Sequence, residues 1–200
     1  MQTSGKKLLV LITFVLGGIG TAHTQDAIDR LQPLVELSAH RLAIAERVAF
    51  AKWDSRTPVE DSAREVEVIA NAVKEGELKN LNPESVSDFF RAQIEANKLV
   101  QFSLLADWNR LGEAPAHRRI GLSAEIRPEL DRLQKEMIQQ LADTSLLREG
   151  PTCQANVAKA VGKYLTVHHI NAKDLQAIAL DRAMAASCSH IIAHRRMMVQ

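Results

Sequence analysis

One stretch of the chain constrains the fold more than any other. Residues 26–53 contain no glycine and a single proline, Pro33, which lies near the start of the stretch. Apolar residues recur there at helical spacing, as at Leu34, Leu37 and Val48. Aromatic residues form only 4% of the chain, which disfavours a β-sandwich or barrel. The stretch therefore predicts a long amphipathic helix in an all-α protein.

The same pattern continues toward the C-terminus and predicts a single helical-bundle domain of about six helices. Gly76 is expected to end the second helix, and Ser123 is expected to cap the fourth. A polar linker is expected over residues 112–121. The other predicted helices span about 58–74, 83–110, 154–165 and 172–194, and the fourth has its apolar stripe over 130–141.

Residues 1–22 are predicted to be a signal peptide. Lys6 and Lys7 precede an apolar run over 8–15, and small residues follow up to Ala22. The alternative is an uncleaved membrane anchor, but the run is shorter than the ~20 apolar residues that a span requires. We therefore expect residues 23–200 to be periplasmic or secreted, with no membrane contact after cleavage.

Export gives the two cysteines a predicted role. Cys153 and Cys188 are the only cysteines of the chain, and an oxidising compartment favours a disulfide between them. The alternative is two separate buried thiols. Charge excludes another class of protein: 25 Lys and Arg face 24 Asp and Glu, without the basic excess of a nucleic-acid-binding protein.

Two cations interrupt the apolar face of the first predicted helix. On a helical wheel Arg41 lies within about 20° of Leu34, and Lys52 lies at about the same angle as Leu34. A buried cation without a partner is unfavourable, so a negative group must face each of them. That group is either an acid of the fold or an anionic ligand with at least two charges. For Lys52, near the end of the helix, a further alternative is that the side chain reaches solvent.

A second anomaly lies in the third predicted helix. Gln93, Asn97 and Gln101 are spaced four apart, on the same face as Phe90 and other apolar residues. Buried amides need hydrogen-bond partners. Either this face is an exposed edge, or the amides bond each other, or they form one wall of a polar pocket whose opposite wall carries the cations.

Two histidines near the C-terminus have the spacing of possible metal ligands. His190 and His194 are four apart, but the segment between them lacks the Glu of the zinc protease motif. An exposed helix face is the simpler interpretation, so no metal is expected. No nucleophile elbow or glycine-rich phosphate loop is present in the sequence either.

Three blocks of the sequence, taken together, resemble the all-helical chorismate mutases, and among them the exported (gamma) subclass. The resemblance covers about residues 26–108, in order and with matching spacing. The later segment 122–137 and the cysteine pair also resemble that subclass. The blocks are Arg41-Leu42 to Lys52-Trp53, Pro58-Val59-Glu60-Asp61-Ser62-Ala63-Arg64-Glu65 and Gln93-Ile94-Glu95-Ala96-Asn97-Lys98 with Gln101.

The resemblance implies an all-α homodimer that converts chorismate to prephenate without a cofactor. It divides the sequence into a catalytic part, about 26–140, and a C-terminal helical part, about 141–200. It also implies that each chain builds a whole active site. An arginine of the later half completes that site; Arg127 is at the expected place, with Arg118 or Arg119 as alternatives.

The resemblance assigns a role to each site residue. Arg41, Arg64 and Arg127 bind carboxylates of the substrate, and Asn97 adds a donor. Lys52 reaches a carboxylate and the ether oxygen, to which Gln101 also donates, while Asp61 and Glu65 accept from the ring hydroxyl. The alternative is an exported helical binding or adaptor protein, for another small dicarboxylate or for a protein partner. In an adaptor the cations would pair with acids of the fold.

Overall fold

The computed structural model describes the backbone of residues 19–189 and the side chains of residues 25–189. The predicted signal peptide therefore lies almost entirely outside the described residues, as do His190 and His194. The described part is all helical, which confirms the predicted fold class. The helices are α1 (Ile19–Ser55), α2 (Ser62–Glu77), α3 (Pro83–Leu111), α4 (Arg127–Asp143), α5 (Ser145–Arg148), α6 (Cys153–Val167) and α7 (Leu175–Met184), with a π-helical turn over Leu122–Ile126.

Local sequence explains where α2 and α3 begin and end. Asp61 caps α2 by accepting from the backbone N–H of Arg64 at 3.1 Å. Asn82 caps α3 by accepting from Ser85, and Pro83 follows at the first helical position. Gly112 ends α3 in the left-handed conformation, with φ of 79°.

Gly76 does not end α2 as predicted, because α2 continues to Glu77. The glycine is buried where α2 meets α3, and a Cβ added to it would lie 2.9 Å from a methyl carbon of Val86. Gly76 is thus required for close packing of the two helices, whereas the prediction treated it as a helix breaker.

Ser123 does not cap the fourth helix. It lies inside the π-helical turn, and α4 begins only at Arg127. The cause is Pro128, which has no N–H and whose ring clashes with the carbonyl four residues earlier. The backbone N–H of Arg127 bonds instead to the carbonyl of Leu122, five residues back, which closes a π turn.

The last helix is also shorter than predicted. It ends at Met184, and residues 185–189 form turns and irregular chain. These residues bring Cys188 to Cys153, and the two form the predicted disulfide, with a Cα–Cα distance of 5.8 Å. Helical periodicity does not report this pairing, and so the prediction extended α7 through it.

One hydrophobic core contains residues from α1, α2, α3, α4, α6 and α7. Helices α1 and α4 run antiparallel, since Arg30 bonds to the carbonyl of Asp143 at one end and Arg47 pairs with Glu129 at the other. A second cluster, with Ile44 of α1 and Leu133 of α4 at its centre, holds the π-helical turn against α1. None of the described helices combines the length and the apolar character needed to cross a bilayer.

Candidate active site

A cavity opens between α1, α2, α3, the π-helical turn and α4. Apolar side chains such as Val48, Ile94 and Ile126 form much of its wall. All eight predicted site residues line this one cavity, and all come from one chain: Arg41, Lys52, Asp61, Arg64, Glu65, Asn97, Gln101 and Arg127.

Arg41 is the buried cation that the helical wheel indicated. Its side chain is 6% exposed, and it makes no hydrogen bond or ion pair with any described side chain or carbonyl. Its Nε is sealed from solvent without a partner. Burial lowers the pKa of Arg41 to about 10; the nearby Asp131 opposes this shift and Arg64 reinforces it. The guanidinium remains charged at neutral pH and faces the cavity.

Lys52 lies three turns further along α1 and is half-buried. Its Nζ donates to the carbonyl of Val59. Burial lowers the pKa of Lys52, and the positive charges of Lys98 and Arg127 act in the same direction. The carboxylates of Asp61 and Glu65 oppose the shift. Lys52 therefore presents a charge that is partly offset, but not fully neutralised by a direct ion pair.

Arg64 differs from Arg41 because acids of the fold pair with it. Its guanidinium lies 2.9 Å from Glu67 and 3.0 Å from Asp131. The interpretation that the cations pair within the fold thus holds for Arg64 but not for Arg41. Both acids are more than half exposed, so solvent screens these pairs and they contribute at most about 1 kcal/mol.

The three amides of α3 are buried, so the exposed-edge alternative is wrong. Asn97 donates to the carbonyl of Arg41 at 3.0 Å, and Gln101 donates to Oδ1 of Asn97 at 2.7 Å. Two of the amides therefore bond each other and also line the cavity. Gln93 lies outside it and donates instead to Ser38 of α1 and to the carbonyl of Ala183.

The link from Arg41 through Asn97 fixes the amide of Gln101. One hydrogen of its nitrogen is engaged by Asn97, which leaves the second free to donate. Its Oε1 is sealed without a partner. A sealed oxygen cannot accept from a ligand, so the amide nitrogen is the group through which Gln101 can contact one.

Two acids stand on the α2 side of the cavity. Asp61 caps α2 and also lines the cavity. Glu65 lies one turn later, 3.3 Å from the Nζ of Lys98. Hydrogen bonds to Glu95 and Glu65 raise the pKa of Lys98, while burial opposes the shift.

Of the three candidate arginines in the later half, only Arg127 lines the cavity. It is the first residue of α4, and its Nη1 donates to Ser123 at 3.2 Å. Arg118 is 72% exposed and pairs with Glu125, while Arg119 belongs to a separate surface depression. The π-helical turn places Arg127 here, because it connects the linker to α4 against the apolar cluster of α1.

Sequence reasoning missed three polar residues of the wall. Lys98 was quoted in a motif but given no role, and Asp131 and Gln134 of α4 were not singled out. Both α4 residues are separated from Arg127 by helical spacing, at four and seven residues. Once Arg127 is placed in the cavity, that spacing predicts the other two.

The charge of the wall fits an anion with two charges. Five cations and three carboxylates line the cavity, which leaves an excess of two positive charges at neutral pH. Within the described residues, no group of three His, Cys, Asp or Glu side chains is placed to hold a metal ion. The chemical capacity of the site is therefore to bind a small dianion among arginines and to donate neutral hydrogen bonds.

Comparison with known proteins identifies the family. Residues 24–102 match the family model described as chorismate mutase type II. The secreted chorismate mutase of Mycolicibacterium smegmatis is 33% identical over 152 residues, which are 76% of this chain and 83% of that protein. The chain belongs to the type II chorismate mutases. It is therefore an enzyme, with chorismate mutase activity.

Two further chorismate mutases extend the comparison. The secreted chorismate mutase of Mycobacterium tuberculosis is 28% identical over 163 residues, 82% of this chain and 80% of that protein. The crystal structure of the Burkholderia phymatum chorismate mutase aligns with a TM-score of 0.76 at 42% identity, and covers 82% of this chain and 98% of that one. The similarity thus extends beyond the residues of the family model into the C-terminal helices.

Proposed function

We propose that this chorismate mutase binds chorismate in the cavity between α1 and α4 and converts it to prephenate there by a [3,3] rearrangement. The observation that carries the proposal is Arg41, a charged guanidinium that is buried without a partner and faces the cavity. A substrate carboxylate supplies the partner that the fold does not. The two positive charges in excess on the wall match the two carboxylates of chorismate.

The reaction suits a site without a nucleophile. In the rearrangement one C–O bond breaks and one C–C bond forms within a single molecule, and no proton is transferred. The enzyme must hold the two reacting arms against each other, which is a problem of orientation. Arg41, Arg64 and Arg127 clamp the carboxylates, because a guanidinium can pair with a carboxylate through two hydrogen bonds.

Stabilisation of charge on the ether oxygen is the second requirement. Negative charge grows on this oxygen as the C–O bond breaks, and preorganised donors in a dry site stabilise it. Lys52 supplies a cation and Gln101 a neutral N–H. The bond from Gln101 to Asn97 holds the amide nitrogen in place, which supports this role. Glu65 and Asp61 accept from the ring hydroxyl.

The direct test is an assay of the purified, oxidised protein with chorismate. We expect chorismate absorbance to fall and prephenate to appear as the product. An Arg41→Ala variant that is folded but inactive is the control for contaminating enzyme. Binding of chorismate without turnover would favour the alternative of a binding protein for a small dicarboxylate, and absence of both would contradict the proposal.

The chain is exported to the periplasm or secreted, after cleavage behind Ala22. The N-terminal pattern, the disulfide and the similarity to secreted chorismate mutases support this. Intact mass of the protein from the periplasm measures the cleavage position. A mature N-terminus elsewhere would correct the position, whereas retention of Lys6 and Lys7 in a membrane fraction would contradict export with cleavage.

The chain forms a homodimer. The apolar side chains of Leu99 and Phe102 on α3 are 37% and 50% exposed, and a second copy would cover them. Light scattering coupled to gel filtration measures the mass. Because the eight proposed site residues of one chain line a common cavity, a monomer would contradict the dimer without contradicting the activity.

A further inference from the structure

Gln134 is a polar side chain of the cavity wall that none of the roles above uses. It lies on α4 and is 5% exposed. Its amide makes no hydrogen bond with another described residue, although it can donate two and accept two. The amide atoms of Gln134 are not sealed from solvent, so their free hydrogen-bonding positions open into the cavity that this residue lines.

The register of α1 against α4 locates that open position. Arg30 bonds to the carbonyl of Asp143, and Arg47 pairs with Glu129, so the two helices are antiparallel with known register. Arg41 is about three turns from Arg30 and under two turns from Arg47, which places it opposite about residue 134 of α4. Arg41 and Gln134 therefore stand at the same level of the helix pair, and both line the cavity.

Arg41 and Gln134 also both have free hydrogen-bond donors that one ligand group can accept. The Nε of Arg41 is sealed, but its two other guanidinium nitrogens are not, and no described side chain forms a direct ion pair with them. Gln134 has an amide nitrogen that can donate to the same acceptor. A carboxylate has two oxygens and about four acceptor positions, so it can receive from a guanidinium and an amide at once.

We propose that Gln134 contacts the substrate and donates to the carboxylate that Arg41 binds. The inference rests on the proposed function, because it requires chorismate in this cavity. It adds a neutral donor from α4 to the clamp. Asp131, one turn before Gln134 on α4, already pairs with Arg64, so α4 contributes to both arginine sites.

The test compares Gln134→Met with Gln139→Met. Met keeps the length of Gln and removes its hydrogen bonds, while Gln139 lies on the exposed face of the same helix, outside the cavity. A hydrogen bond to a charged group corresponds to a factor of about ten or more in binding. We expect Gln134→Met to raise KM about tenfold with kcat within about threefold, because the carboxylate does not change during the reaction. Gln139→Met should match the wild type.

Two further variants separate substrate contact from a structural role. In Gln134→Glu a carboxylate faces the substrate carboxylate and competes for Arg41, so KM should rise by about 100-fold. Arg41→Lys combined with Gln134→Met should have less effect than the product of the single effects, because both act on one carboxylate. Thermal unfolding of each variant should stay near that of the wild type.

The outcomes distinguish the two proposals. An active wild type with unchanged kinetics in both Gln134 variants would overturn the role of Gln134 alone. Multiplicative effects of the Arg41 and Gln134 changes would overturn the assignment to a shared carboxylate. A wild type that does not convert chorismate would overturn the proposed function, and the inference with it. If Gln134→Met unfolds early, Gln134→Glu still decides, since it keeps the size and polarity of the side chain.

Discussion

Two buried arginines define two regions of this molecule. Arg41 lines the cavity, while Arg148 lies next to the disulfide at the C-terminal end of the bundle. Burial lowers the pKa of each to about 10. The Nε and Nη1 of Arg148 nevertheless donate to the carbonyls of Leu141 and Ser187, at 3.3 and 2.9 Å. The hydrogen bonds of Arg41 are left open.

The difference separates a structural cation from a binding one. Arg148 joins α4 and α5 to the chain after α7 through two hydrogen bonds to carbonyls of the fold. Arg41 is held by apolar packing of α1 and by its backbone bond to Asn97, and the fold supplies nothing for its side chain. Arg41 and Arg148 are both buried and both have a lowered pKa. What distinguishes the binding residue is that its hydrogen-bond donors have no partner in the fold.

The largest expected effect concerns the C-terminal region. We expect replacement of Cys153 and Cys188 by Ser to lower the free energy of unfolding by about 4 kcal/mol, as the loop-entropy model gives for a closed loop of this length. Activity of the folded protein should be kept, because neither cysteine lines the cavity. Urea unfolding and chorismate kinetics of the same samples measure both quantities. A variant without the disulfide that kept its full stability but lost kcat would show that the disulfide region and the cavity are not independent.

The next effect concerns the cavity. Arg41→Ala should lower kcat/KM by 100-fold or more, about 3 kcal/mol, because a charge-assisted contact in a dry site is removed. Arg64→Ala should lower kcat/KM similarly, because Arg64 is proposed to bind a substrate carboxylate. Removal of the Arg41 cation relieves its desolvation, so stability should be kept.

Arg148→Met is the matched control for Arg41→Ala. It leaves two buried carbonyls without a partner, which should lower stability by about 2 kcal/mol and leave kcat/KM of the folded protein unchanged. Near-full turnover in Arg41→Ala would show that Arg41 does not touch the substrate. A large loss of stability there would show that it is structural, like Arg148.

Arg41 and Arg148 also show which features of this protein can be predicted from its sequence. Arg41 was found because it interrupts a long apolar stripe, a periodic signal that lies within one helix. Arg148 was not found, since its partners come from α4 and from the chain after α7, and no local pattern reports such contacts. The π-helical turn was not predicted for a related reason. It depends on how Pro128 disrupts the backbone hydrogen bonds of the helix, whereas the sequence pattern indicated only Ser123 as a capping residue.

A moderate effect is expected at Gln101. In Gln101→Glu a carboxylate replaces the donor and repels the charge that grows on the ether oxygen, so kcat/KM at neutral pH should fall about tenfold or more. Protonation restores an O–H donor, so activity should recover on acidification. The kcat/KM of the wild type should not change with pH until Lys52 loses its proton. Because burial lowers the pKa of Lys52, this loss begins at a lower pH than for an ordinary lysine. Profiles of kcat/KM against pH for both proteins, with circular dichroism at each pH, provide the measurement. An unchanged flat profile in the variant would show that Gln101 does not touch the ether oxygen.

The smallest effect concerns the linker that leads into the π-helical turn. The ring of His117 stacks on Phe50 at 4.1 Å, and Phe50 stacks on Trp108. One ring nitrogen of His117 is 2.8 Å from the carbonyl of Pro115, and the other is 3.2 Å from Asp54. The bond to Pro115 and the charge of Asp54 raise the pKa of His117 above its usual range; desolvation and Arg119 oppose this.

A raised pKa in the folded protein makes stability fall as pH rises. The contribution of His117 is fully present below about pH 6, where the ring is protonated in both states, and it is lost as pH rises through the raised pKa. His117→Gln should therefore lower the Tm more at pH 5.5 than at pH 8, by about a degree or two, as for an exposed charged contact. Arg148 does not titrate in this range, so Arg148→Met should lower the Tm nearly equally at both pH values. A His117→Gln effect that is equal at both pH values would show that stacking on Phe50, and not the charge, holds the linker against α1.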